Sequence, residues 1–127
     1  MPFDPKPIEV PALPANNSTY SQAVRLGDLL FLSGQLGVDA ATRRLVAGGI
    51  EEQTRQAIEN IATVLNAAGS GLDRVAKVNI FIRDFSALPA MNKVYAQYFP
   101  HRPAKTTVEI TGLDQGALIE IEVVAAA

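Results

Sequence analysis

A lysine and two glutamates in the last quarter of this 127-residue chain have the types and spacing that chemistry needs. Lys105 opens the run Lys105-Thr106-Thr107-Val108-Glu109-Ile110, while Glu120 and Glu122 alternate with Ile119, Ile121 and Val123, so both stretches predict strands. Carboxylates two apart on a strand project from one face, about 6.6 Å from each other, with the isoleucines and the valine turned the other way. Such a pair suits general acid and base work, glycoside hydrolysis included, and suits equally an exposed or ion-paired sheet face. Lys105 reads either as a point charge for an anionic group or as a solvated strand end. Only the turn from Thr111 to Gly116 separates the two runs, which predicts neighbouring strands with a cation on one and carboxylates on the other.

Other chemistries are set aside by composition. There is no cysteine, and His101 is the single histidine, so thiol nucleophiles, thiolate metal sites and disulfides are excluded and a histidine-based zinc site lacks ligands. His101 lies beside Pro100 with no nucleophile elbow nearby and reads as a surface loop residue. The segment from Gly34 to Gly37 has neither the lysine nor the strand-to-helix context of a phosphate loop. A formal charge of −2 and a pI near 5.3, with basic residues scattered singly, lack the electrostatic footprint of a nucleic-acid binder. No run approaches the roughly 18 apolar residues of a membrane span, and Met1-Pro2-Phe3-Asp4-Pro5-Lys6 does not begin a signal peptide. The expectation is a cytoplasmic protein with no cofactor and no metal.

The elements that must position these side chains follow from periodicity. With 48% hydrophobic residues, positions 1–127 suffice for one domain, entered through a proline-rich lead-in over 1–17 that should be extended and edge-like rather than part of the core. Ser21 to Leu26 and Leu29 to Ser33 flank Gly27-Asp28, a pair suited to the positive φ angles of a primed hairpin turn. Positions 35–50 read as irregular, with a short pairing around Arg44 to Val46. From Ile50 to Ala68 the apolar residues Ala57, Ile58, Ile61, Val64, Leu65 and Ala68 recur at helical spacing, with Glu51 and Glu52 in the first turn and Gly69 as the stop. Val75 to Arg83 reads as a strand buried on most of its surface. Ser86 to Phe99 predicts a second helix, closed by Pro100 and Pro103. Strands over 105–110 and 117–125 complete an α+β alternation, a mixed sheet with two helices on one face and the other face in need of a partner.

Arg102-Pro103-Ala104-Lys105-Thr106-Thr107-Val108-Glu109-Ile110 and Ile119-Glu120-Ile121-Glu122-Val123, taken with Tyr20-Ser21-Gln22-Ala23 and Phe31-Leu32-Ser33-Gly34-Gln35, resemble the RidA family of enamine and imine deaminases. The resemblance runs from about Tyr20 onward and implies a chorismate-mutase-like fold, a homotrimer with pockets at its subunit interfaces, and cofactor-free hydrolysis of a reactive 2-aminoacrylate-like metabolite to ammonia and a carbonyl product. It also implies roles. Glu120 stands where the family's glutamate orients or activates water, and Lys105 stands where deaminating members carry an arginine that grips the substrate carboxylate. Tyr20, Ser33, Gly34, Asn92 and Thr107 fall at the other pocket positions, with Thr107 in place of a cysteine common in the family. Lysine keeps the charge of arginine and loses its planar fork, so a non-catalytic trimer that binds a small carboxylate metabolite is the alternative reading. A ribonuclease or translation-inhibitor activity, attributed to some members, would need a local groove from Arg43, Arg44 and Arg55 against the acidic balance.

Overall fold

The computed structural model describes residues 3–127; Met1 and Pro2, the first part of the proline-rich lead-in, lie outside the described residues. The strands are β1 (Lys6–Ile8), β2 (Ala23–Leu26), β3 (Leu29–Leu32), β4 (Gln35–Leu36), β5 (Val75–Ile82), β6 (Ala104–Glu109) and β7 (Ile119–Ala126), with α1 (Gly49–Ala67) and α2 (Leu88–Tyr98) between them. They form one mixed sheet in the order β1-β2-β3-β7-β5-β6, with β4 pairing with β7 beyond the end of β3. Only β5 and β6 run parallel, joined through α2, and every other pair is antiparallel.

Alternation along the strands decides which face is covered. Ile119, Ile121, Val123 and Ala125 of β7, Val78, Ile80 and Ile82 of β5, and Leu30 and Leu32 of β3 are buried in one cluster with Ala57, Ile58, Ile61, Val64 and Leu65 of α1 and Met91 and Tyr95 of α2. Both helices therefore lie on one side of the sheet. Each large aliphatic side chain taken out of water there contributes about 1.5–3 kcal/mol, which holds the amphipathic helices down. The opposite face carries Val24, Leu26, Leu29, Phe31 and Val124 at one end and Phe81 and Val108 at the other, and Leu29 and Phe31 keep 44% and 41% of their surface exposed. Among the described residues no helix is long and apolar enough to cross a membrane.

Several sequence expectations need correction. The hairpin turn lies at Gly27-Asp28 as expected, with Leu26 opposite Leu29, but only Gly27 has a positive φ, 59°, so a single glycine supplies the reversal. The lead-in does form an edge strand, with Pro7 tolerated because β1 has a neighbour on one side only, yet Val10 and Leu13 beyond it are buried in the core. Strand β5 is buried on one face only, with Lys77, Asn79 and Phe81 half-buried on the other. The second helix is preceded by a 3-10 turn at Phe85–Ala87, where the Asp84 carboxylate accepts the Ser86 N–H at 2.8 Å and so competes with a regular helix start. The pairing near Arg44 is a single bridge, Val38 to Leu45. Most consequential, β6 and β7 are not neighbours, because β5 lies between them.

Candidate functional site

Glu120 sits at the start of β7 on the uncovered face, opposite Leu36 of β4 on one side and Phe81 of β5 on the other. Its carboxylate lies over Gly34, in the link between β3 and β4. A Cβ built on Gly34 would fall 2.0 Å from Glu120 Oε1, so glycine leaves the space that the carboxylate fills. Together they open onto a cleft of about 350 Å³, whose walls include Tyr20, Gln22, Ser33, Gln35, Arg43 and Asp114. That volume suits a small metabolite.

Local hydrogen bonds fix the cleft walls. The Ser33 N–H donates to the Gln22 carbonyl at 2.9 Å and its hydroxyl to the Ser21 carbonyl at 2.6 Å, which extends the hairpin ladder past β3. Behind them, buried Gln35 donates from Nε2 to Gln22 Oε1 at 2.7 Å. The Tyr20 hydroxyl accepts the Asn16 N–H at 3.0 Å, and Asn16 Oδ1 in turn accepts a bond from Arg43 at 3.0 Å, so the lead-in, the 39–44 turn and the aromatic ring brace one another. Burial, and then the like charge of Glu122, push the Glu120 carboxyl above its ordinary range. Glu122 itself accepts a hydrogen bond from Asn79 at 3.3 Å.

Lys105 lies elsewhere. It is opposite Val78 across the β5–β6 ladder, and Val78 is opposite Val123, so Lys105 points to the helix side of the sheet while Glu120 points to the uncovered side. Two strand spacings and three residues along the strands separate them, about 14 Å between backbones. The Lys105 ammonium donates to Asn92 Oδ1 at 3.2 Å and stands 4.5 Å from the centroid of the Tyr95 ring, a cation–π contact at the edge of the molecule. Burial raises the Tyr95 phenol to about 12, so the ring stays neutral beneath the cation. Thr107 follows on the same side of β6 and is half-buried.

The residues singled out from the sequence thus fall into two groups. Tyr20, Ser33, Gly34 and Glu120 share the cleft, and Asn92, Lys105 and Thr107 share the outer edge formed by β6 and α2. One copy of the chain does not bring the cation to the carboxylate, which corrects the expectation of neighbouring strands. Sequence reasoning gave no role in the cleft to Gln22, Gln35, Arg43, Asp39, Asp114 or Asn60. Asn60 carried the one readable signal, a polar residue beside Ile61 on the core-facing side of a largely apolar helical stripe.

Comparison with known proteins places these features in context. The family model described as Endoribonuclease L-PSP matches residues 11–127. A RutC family protein of Pyrococcus horikoshii is 43% identical over 95% of this chain and 90% of its own length. A protein of Dermatophagoides farinae named 2-iminobutanoate/2-iminopropanoate deaminase is 40% identical over 91% of each chain. The crystal structure of YyfA from Yersinia pestis, assigned to the conserved Rid protein family, superposes with a TM-score of 0.92 at 40% identity, covering 98% of this chain and 100% of that one.

Proposed function

This chain belongs to the RidA family, the group of the Endoribonuclease L-PSP model, and from that membership we propose that it hydrolyses a small reactive imine or enamine without a cofactor, in a site completed between copies of a homotrimer. The observation that carries this reading is the half-buried Glu120 carboxylate, raised in pKa and seated over Gly34 at the mouth of a metabolite-sized cleft. A carboxylate with its pKa moved toward neutrality is a better match for moving protons to and from water near pH 7 than an ordinary glutamate.

In this mechanism Glu120 takes a proton from water as the oxygen attacks the imine carbon and passes it to the nitrogen, and then carries the carbinolamine hydroxyl proton to the nitrogen as it departs. The C=N bond becomes a carbinolamine, the C–N bond then breaks, and imine plus water yields a carbonyl compound plus ammonia. Lys105 of a neighbouring copy holds the anionic end of the substrate, with Asn92 and the Tyr95 ring fixing the ammonium in place. Tyr20 walls the ligand, and backbone groups at Gly34 and Thr107 approach the reacting centre. Two features support assembly: the apolar uncovered sheet face, and the separation of the two halves of the site in one chain.

The experiment is keto-acid release from freshly generated 2-aminoacrylate, with a Glu120→Ala variant alongside. Acceleration above the spontaneous rate that the variant loses supports the proposal. Saturable binding of a small carboxylate without turnover would replace it with the metabolite-binding reading.

A further inference from the structure

The buried face of α1 is apolar except at Thr54 and at two amides. Gln53 and Asn60, seven residues and thus about two helical turns apart, are only 7% and 4% exposed. A buried amide costs about 1–3 kcal/mol wherever its hydrogen bonds are not made, so two of them in a largely aliphatic stripe require partners. Both have partners, and these lie on the two segments that carry and face Glu120. Gln53 Oε1 accepts the N–H of Leu118 at 2.9 Å, two residues before Glu120, and the Leu118 carbonyl accepts the Arg83 N–H at 3.0 Å. Asn60 Nδ2 donates to the carbonyls of Leu36 at 3.2 Å and Val38 at 2.9 Å, while its Oδ1 accepts from Gln56 at 2.9 Å. Leu36 is the register partner of Glu120. Between them, Gly37 lets the chain lie directly on the helix, since a Cβ there would fall 2.5 Å from Gln53 Cα.

We propose that Gln53 and Asn60 are positioning residues, which hold the Glu120 carboxylate in place over Gly34 by clamping, from the helix side, the two backbone segments on either side of it. β4 ends at Leu36 and β7 begins at Ile119, so the Leu118 N–H and the Val38 carbonyl lie just beyond the β4 and β7 ladders. The two amides supply the missing hydrogen bonds. Glu120 thereby inherits the rigidity of a 19-residue helix, although it stands at the end of the two-residue β4–β7 ladder and next to the end of the β5–β7 ladder. The inference rests on the reading of Glu120 as the group that guides water, but the clamp itself is testable without turnover.

The test compares the wild type with Gln53→Met, which removes the acceptor at equal length, and Gln53→Glu, which keeps it. In the wild type the Leu118 amide should exchange with solvent as slowly as the amides of β7; rapid exchange would overturn the clamp. In Gln53→Met the Leu118 amide should lose protection and the carboxyl carbon resonance of Glu120 should move, with both restored in Gln53→Glu. An unmoved Glu120 resonance overturns the proposal. In the imine assay, Gln53→Met should lose about tenfold in kcat with KM within about twofold, and Gln53→Glu should recover it. Unchanged kcat, or a loss that Gln53→Glu does not rescue, counts against positioning. If the wild type shows no turnover, the functional reading fails while exchange and resonance still decide the clamp. Where Gln53→Met does not fold, Asn60→Ser, which keeps one donor, serves the same comparison through the Glu120 resonance.

Discussion

The Oε1 atom of Glu120 lies where a side chain at Gly34 would begin, 2.0 Å from the built Cβ position. Carboxylate and glycine are therefore a single fitted pair, and the smallest enlargement tests it. Gly34→Ala must push the carboxylate aside, because no real Cβ tolerates such a contact. Gly34 has no positive φ, so alanine brings little backbone strain and the effect is confined to the carboxylate. We expect a loss of imine hydrolysis of about 100-fold, the scale set by a 1 Å displacement of a reacting group, with a melting temperature within a few degrees of wild type. Steady-state kinetics beside thermal denaturation reads both.

The raised carboxyl of Glu120 has a stability signature with a definite sign. Because burial and Glu122 hold its folded pKa above the unfolded one, the native state binds the extra proton, and stability falls as pH rises from the unfolded value through the folded one. Glu120→Gln should therefore stabilise the protein above that window and change little below it. Glu122→Gln removes the second cause only, so the acid limb of the rate should shift to lower pH while burial keeps it above an ordinary glutamate. Melting temperatures and kcat/KM as functions of pH check the two variants. A shift of the limb to higher pH in Glu122→Gln would contradict the cause assigned here.

Both helices were legible because apolar residues at spacings of three and four leave one face with nothing else to bury. The hairpin was legible because Gly27-Asp28 interrupts two apolar runs by two residues. The two-residue β4 was not, since no periodicity fits in Gln35-Leu36 and its existence depends on β7 lying alongside. Nor was the separation of Lys105 from Glu120. Each run reveals its own alternation, but which strand lies between them is decided by the crossover through α2, which places β6 parallel to β5 and leaves β7 on the other side. With that order known, strand parity alone puts the cation and the carboxylate on opposite faces.

Lys105 already sits where a guanidinium would have more to do. The Tyr95 ring 4.5 Å away offers a stacking surface, and Asn92 offers an acceptor. Lys105→Arg should keep both contacts and add the planar fork that binds a carboxylate through two parallel bonds. The expected gain is about tenfold in kcat/KM on a 2-imino acid, with Lys105→Ala losing activity on the same substrate. An imine without a carboxylate should respond to neither change, so a substrate pair read side by side separates carboxylate recognition from a general effect on the fold.

If a site takes Glu120 from one copy and Lys105 from the next, two inactive variants should restore each other. Neither Glu120→Ala nor Lys105→Ala homotrimers contain a complete site. Denatured together in equal amounts and refolded, three-quarters of cyclic trimers are mixed, and each mixed trimer holds one intact site of three, so activity should return to about a quarter of wild type. A site built within one copy gives no recovery at any mixing ratio, because each chain then carries its own defect. A dimer with two symmetric sites is not distinguished by this arithmetic: half the dimers are mixed, each with one intact site of two, so its ceiling is also about a quarter. With a fraction x of one variant, both follow x(1−x), so mass measured by light scattering must accompany the titration. Recovery along that curve with a mass of three chains would establish the interfacial site, and a flat line at zero would remove it.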